Sequence, residues 1–178
     1  MCGICGIKTH SLPPQHVLEH MLEALYHRGP DASGRYFSNE YMAGQRRLAI
    51  NDLKTGDQPL YNTRKDVLLF YNGEIYNSPE LRQSLQKQGI TFRTHSDGEV
   101  ICHLYDLYGE NFFSRLDGMF ACALWIEKEK KLILARDSAG EKPLYYSMLP
   151  QNGLIFASEV KSLLRIPYID HSLDYQAL

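Results

Sequence analysis

The sequence has no apolar run near the roughly 20 residues that a membrane-spanning helix needs, and its first residues show neither a basic lead-in nor the apolar core of a secretory leader. It has no excess of charge. Nineteen Lys and Arg against 21 Asp and Glu leave a net charge of −2, which gives neither nucleic acid nor an anionic membrane a reason to bind. Cysteine is scarce: thiols at 2, 5, 102 and 122 make no disulfide framework and suit a reducing, cytoplasmic setting. Cys2-x-x-Cys5 has no second pair or Cys/His cluster to complete a zinc site, so no metal is expected. His16-Val17-Leu18-Glu19-His20 matches an inverted zinc-peptidase pattern, but both histidines project away from the apolar stripe of their helix and read as solvated. What remains is 178 residues, 44% apolar and 22% charged, enough for one domain with a substantial core.

The chemistry concentrates in Met1-Cys2-Gly3-Ile4-Cys5-Gly6-Ile7. An initiator Met before a small residue is normally trimmed, which would leave a thiol and a free α-amine on Cys2. A free Cys has a pKa of about 8.5 and an α-amine one of roughly 7.7 to 8.0, so the two can exchange a proton near neutrality and form a nucleophile-base pair. Gly3 and Gly6 allow close backbone approach to a reacting group, and Ile4 and Ile7 anchor the terminus. The competing reading is a buried first strand in which Cys2 is a small hydrophobe.

Along the chain, Ser11-Leu12-Pro13-Pro14 predicts a helix start running to about Tyr26, with Val17, Leu18, Met21, Leu22 and Leu25 on one face. A polar loop His27 to Asp31 leads to a hairpin across Gly34 to Gly44. Arg46 to Asp52 has strand character, with Arg47 readable as a surface charge, and Gly56 to Leu60 is a turn. Val67 to Tyr71 is a buried strand that delivers Asn72-Gly73-Glu74. A side-chain amide beside an unhindered backbone N–H is what an oxyanion hole requires, although Asn-Gly is also a common turn. Ser78 to Gln88 predicts a helix and Ile90 to Thr94 a strand. Ser96-Asp97-Gly98-Glu99 opens a helix to Tyr108 with Val100, Ile101, Leu104 and Leu107 buried, and Asp97 reads as a cap or as a carboxylate for a substrate amine. Met119 to Ile126, Leu132 to Ala135, Pro143 to Ser147 and Gly153 to Ala157 complete an antiparallel set. Clustered helices and hairpin strands predict an α+β domain with sheet packed on sheet and helices outside.

Taken in order, Cys2-Gly-Ile-x-Gly, His27-Arg-Gly-Pro-Asp, Arg47-Leu-x-Ile, Gln58-Pro-Leu, Asn72-Gly-Glu-Ile-Tyr-Asn, Ser96-Asp-x-Glu-Val, Arg136-Asp-x-x-Gly-x-Lys-Pro-Leu-Tyr-Tyr and Ala157-Ser-Glu resemble the glutaminase domain of glutamine-dependent asparagine synthetases. The resemblance covers residues 1–165 and makes 166–178 a connector towards a synthetase domain. It implies a four-layer αββα sandwich of the N-terminal-nucleophile hydrolase type. It also implies that Cys2 attacks the side-chain amide of glutamine, that Asn72 and Gly73 hold the oxyanion, and that Arg47 grips the substrate carboxylate. Asp97 and the backbone near Glu74 would take the α-amine, and backbone around Leu48, Ile50 and Asn51 the remaining polar groups. Ammonia would pass to a synthetase domain or partner chain. No cofactor is expected in this chain, because ATP and Mg belong to that second domain, whose Ser-Gly-Gly-x-Asp-Ser loop does not occur here. Gln45 departs from the His often found before the paired Arg. Two alternatives keep part of this reading: a glutamine-sensing or regulatory module, and an N-terminal-Cys amidase for another amide.

Overall fold

Strict alternation along the strands decides the architecture. The structure is a computed structural model that describes residues 1–167, 169 and 172. Its strands form two sheets whose named pairings are all antiparallel. One has the order β2 (Ala32–Phe37), β3 (Tyr41–Arg47), β1 (Gly3–Lys8), β9 (Gly153–Ala157), β8 (Tyr145–Leu149). The other has the order β4 (Leu60–Tyr61), β5 (Val67–Ile75), β6 (Gly118–Ile126), β7 (Lys131–Arg136). Because successive side chains point to opposite faces, Ile4, Tyr41, Ala43 and Phe156 of the first sheet meet Leu68, Phe70, Ala123 and Trp125 of the second in a core between the sheets. Trp125 stacks on Tyr41 with ring centroids 4.6 Å apart, and its indole N–H is satisfied by Glu127 at 2.6 Å.

The outward faces are covered by helices. Cys5, Ile7, Met42 and Ile155 pack under α1 (His16–Ala24), whose Val17, Leu18, Met21 and Leu22 are buried together with Leu25 and with Leu163 of α4 (Val160–Leu163). Leu69, Tyr71, Cys122 and Leu124 pack under α2 (Ser78–Lys87) and α3 (Glu99–Tyr108) through Leu85, Val100, Ile101 and Leu104. Helix, sheet, sheet, helix is the four-layer αββα order, and each fully buried Leu, Ile or Phe contributes about 1.5–3 kcal/mol to holding it.

Several local expectations are corrected. Helix α1 begins at His16 rather than near Ser11, because Leu12 and Pro13 each precede a proline and are held out of the helical region. The strand expected over 46–52 ends at Arg47, where the chain turns through Asp52 (φ 49°), whose carboxylate accepts from the N–H and hydroxyl of Thr55. No strand forms over 90–94, since the N–H groups of Arg93 and Thr94 donate to the Glu99 carboxylate, each at 2.8 Å, and not to a neighbouring strand. Leu107 is 43% exposed, and the buried side of α3 carries Cys102 and His103 in its place. The expected connector over 166–178 lies largely outside the described residues.

Candidate active site

The face that builds the core between the sheets becomes polar at one end. The alternation that turns Ile4 inward also turns Cys2 inward. On β3 the inward series Tyr41, Ala43 continues to Gln45 and Arg47, and on β5 Leu68, Phe70 continues to Asn72 and Glu74. A thiol, a guanidinium, an amide and a carboxylate are thus delivered to one place by three strands. They border a cavity of about 170 Å³. Every residue singled out from the sequence lines it: Cys2, Arg47, Leu48, Ile50, Asn51, Asn72, Gly73, Glu74 and Asp97. Met1, Gln58, Tyr71, Met119 and Lys142 also contribute and were not marked as site residues by the sequence.

The shortness of β4 shapes the wall formed by β5. Strand β4 pairs only with Leu68 and Leu69, so beyond them β5 is open on that side. In an antiparallel ladder the N–H groups of alternate residues share one side. The Tyr71 N–H donates to Gln58 Oε1 at 2.6 Å and the Ile75 N–H to Asp97 Oδ2 at 2.7 Å; the Gly73 N–H lies between them, on the same side, facing the cavity. Asn72 is 2% exposed, and its side-chain Nδ2 is a buried donor with no hydrogen-bond partner among the described residues. Such an orphan costs about 1–3 kcal/mol. Asn72-Gly73 is therefore no turn: the strand runs straight through it to Ile75.

Cys2 is held by its backbone. Arg28, in a 3₁₀ turn over Tyr26–Arg28, donates Nε to the Cys2 carbonyl at 2.9 Å and Nη1 to Glu159 at 2.9 Å, and Glu159 also meets His27 Nε2 at 2.9 Å. Burial alone would raise the Glu159 carboxyl, but hydrogen bonds from Arg28, His27 and Lys161 outweigh it and bring the group down to about 2. These residues sit in motifs noted from the sequence, yet nothing in residue type assigned them to Cys2; only the fold brings 28 and 159 together. The Cys2 thiol is half-buried with Leu48 O at 3.7 Å, whereas Cys5 points the opposite way under α1, its thiol pushed up to about 12 by burial.

Arg47 is buried, not a surface charge. Its fork donates to Asp57 Oδ1 at 2.8 Å and to the carbonyls of Asn51 at 3.0 Å and Asp52 at 2.6 Å, which shapes the loop over 51–57. Asp52 Oδ2 in turn accepts from His95 N at 2.8 Å and ties this loop to the segment bearing Asp97. Asp97 does not cap α3, whose N-cap is Gly98; its carboxylate accepts from Tyr71 Oη at 2.8 Å as well as from Ile75 N. Burial first, then the Asp97 charge, drives the Tyr71 phenol well above its ordinary range, so it remains a donor. Ile50, 72% exposed, stands at the rim. Among the described residues no three His, Cys, Asp or Glu side chains converge as a metal site would require.

An antiparallel αββα sandwich with the second residue's thiol opening on a polar cavity is the architecture of the N-terminal-nucleophile hydrolase fold. The fold agrees: glutamine phosphoribosylpyrophosphate amidotransferase from B. subtilis, solved with ADP and GMP, superposes with a TM-score of 0.74 at 27% identity, over 91% of this chain and 43% of that one. The model of the glutamine amidotransferase domain family matches residues 1–178, and the chain belongs to that family. It is 39% identical to asparagine synthetase [glutamine-hydrolyzing] 2 of Bacillus subtilis (strain 168) over 99% of this chain and 24% of the relative. It is 44% identical to asparagine synthetase [glutamine-hydrolyzing] 2 of Oryza sativa subsp. japonica over 92% of this chain and 28% of the relative. The chain thus spans about a quarter of the length of these relatives.

Proposed function

We propose that this domain hydrolyses the side-chain amide of glutamine through a thioester on Cys2. With Met1 removed, the Cys2 α-amine accepts the thiol proton as sulfur attacks the amide carbon. The carbonyl oxygen then carries the negative charge, and Asn72 Nδ2 and the Gly73 N–H stabilise it. Collapse of the tetrahedral species passes the proton from the α-amine to the leaving nitrogen, ammonia departs, and water cleaves the thioester to glutamate. The observation that carries this reading is the partnerless, buried Asn72 Nδ2 beside the cavity-facing Gly73 N–H: an orphan donor that costs stability is what a site built for a transient oxyanion retains.

The clamp for the amino-acid end follows from charge. Arg47 takes the α-carboxylate, exchanging or sharing its exposed partner Asp57. Asp97 and the carbonyls near Glu74 take the α-ammonium, and backbone at Leu48, Ile50 and Asn51 closes the rim. The ammonia serves an ATP-dependent amide synthesis, asparagine from aspartate being the reaction named for the relatives, on a domain reached through residues 166–178 or on a partner chain. ATP and Mg act there, and the free thiols fit a cytoplasmic setting.

The test is to incubate processed chain with glutamine, aspartate and Mg-ATP and to separate the amino acids. Glutamate and ammonia without asparagine are expected. Asparagine would overturn the division of labour, and no glutamate from a chain that binds glutamine would make this a sensing module.

A further inference from the structure

Resting on the glutaminase reading above, a role for Gln45 and Gln58 emerges from their bonds to Tyr71. Gln45 lies on β3 directly opposite Ile4, two residues from the nucleophile, and is 1% exposed. Its Nε2 crosses the space between the sheets and donates to the Tyr71 carbonyl at 3.0 Å. That carbonyl belongs to the peptide whose nitrogen is Asn72. Gln58 grips the open edge of the same residue: Nε2 donates to the Tyr71 carbonyl at 2.9 Å while Oε1 accepts the Tyr71 N–H at 2.6 Å, a side chain standing in for the strand that β4 fails to supply. Gln58 is itself docked on the first sheet, since its carbonyl lies where a Cβ on Gly34 would sit, 1.8 Å from that position. Gly34 is paired with Gln45 across the β2–β3 ladder.

We propose that Gln45 and Gln58 are positioning residues that fix the spacing between the strand carrying Cys2 and the strand carrying the Asn72 and Gly73 donors. Two independent features support a dedicated link. Two side-chain amides converge on one carbonyl, which satisfies both of its lone pairs. In addition, Gln45 Oε1 is left buried without a partner among the described residues, so this side chain is retained at a cost that packing alone does not explain.

The test uses Gln45→Met, which keeps length and volume and removes both amide atoms. Loss of the link lets the donors drift relative to the thiol, so kcat for glutamine hydrolysis falls by about 10-fold, while KM stays within about twofold because the amino-acid clamp is untouched. Tm is unchanged or raised, because an unpartnered acceptor has gone; a purely structural role would lower Tm. Gln58→Met gives the same kcat-only loss with a lower Tm, as two satisfied bonds are removed. In an Asn72→Ala background, Gln45→Met lowers kcat by clearly less than in wild type, since only the Gly73 N–H is left for it to position. Undiminished loss in that background, or a kcat equal to wild type in the single variant, overturns the proposal. If the wild-type chain itself releases no glutamate, the glutaminase reading fails instead. The physical link is then read separately from the Asn72 side-chain and Gly73 backbone amide resonances, which Gln45→Met shifts if the link exists and leaves in place if it does not.

Discussion

Gly73→Ala tests the geometry of the oxyanion wall without touching any side chain in it. A Cβ on Gly73 would lie 2.2 Å from the Met119 carbonyl oxygen, 2.7 Å from Phe120 Cα and 2.8 Å from Phe120 Cβ. Two of these atoms are backbone of the adjacent strand β6, so no rotamer change relieves the clash. Reaching ordinary contact at 3.4 Å requires β5 and β6 to part by about 1.2 Å at this point. Overpacking of this kind costs about 1–3 kcal/mol, which in a domain of this size lowers Tm by very roughly 2–10 °C. The same displacement moves the Gly73 N–H and the Asn72 amide off the oxyanion position, and a misplacement near 1 Å costs about 100-fold, or some 2.7 kcal/mol of barrier. Steady-state glutamate release gives kcat and KM, and a thermal melt gives Tm. The expected result is a kcat loss near 100-fold with KM changed far less. Wild-type kcat in a folded Gly73→Ala protein would refute the assignment of this strand to oxyanion stabilisation.

Other outcomes follow from the same geometry. Cys2→Ala abolishes ammonia release and Cys5→Ala leaves an active enzyme, because Cys5 faces α1 with its thiol pushed up to about 12; equal loss from both would contradict this. Arg47→Ala and Asp97→Ala raise KM for glutamine steeply, each removing one charged contact to the amino-acid end, and unchanged KM in both would leave the clamp without support. Glu159 has a folded pKa near 2 against an ordinary 4.5, so its contribution to stability is full above about pH 5 and disappears as the pH falls towards 2. Urea unfolding of wild type and Glu159→Gln should therefore differ at neutral pH and converge in acid; a gap that persists near pH 2 would show that the carboxylate charge is not what holds Arg28 and Cys2.

Much of this was legible in the residues, and for identifiable reasons. Buried strands with long apolar or alternating runs, such as Val67 to Tyr71 and Met119 to Ile126, and the stripe Val17, Leu18, Met21, Leu22, Leu25, announce themselves by periodicity, and all of them form. Short polar stretches do not. Residues 90–94 look like a strand, yet the N–H groups of Arg93 and Thr94 are claimed by one carboxylate, Glu99, an interaction no local pattern encodes. Burial alone would raise that carboxyl, but bonds from His103, Thr94 and the backbone of Arg93 leave it below the usual range, so it stays an ionised acceptor. Asp97 has the sequence of a cap but lines the cavity, because Tyr71 and Ile75 reach it from another layer. The ordered motifs brought Cys2, Arg47, Asn72 and Asp97 to one site. Their supports, Arg28 with Glu159 and Gln45 with Gln58, depend on contacts across the fold that spacing along the chain cannot show.

Central to the proposed mechanism is that Cys2, freed of Met1, becomes covalently acylated by glutamine. In the full chain Met1 lines the cavity and its sulfur lies 4.0 Å from Lys142 Nζ, so retention both fills the site and turns the amine base into an amide. The decisive measurement is acid quenching of the chain during turnover with glutamine, followed by mass spectrometry of the N-terminal peptide, with Met-retaining protein as the control. A γ-glutamyl adduct on a peptide that begins at Cys2, absent from the Met-retaining chain and from Cys2→Ala, is the predicted result. An adduct elsewhere, or full glutamate release by chains that keep Met1, would contradict it.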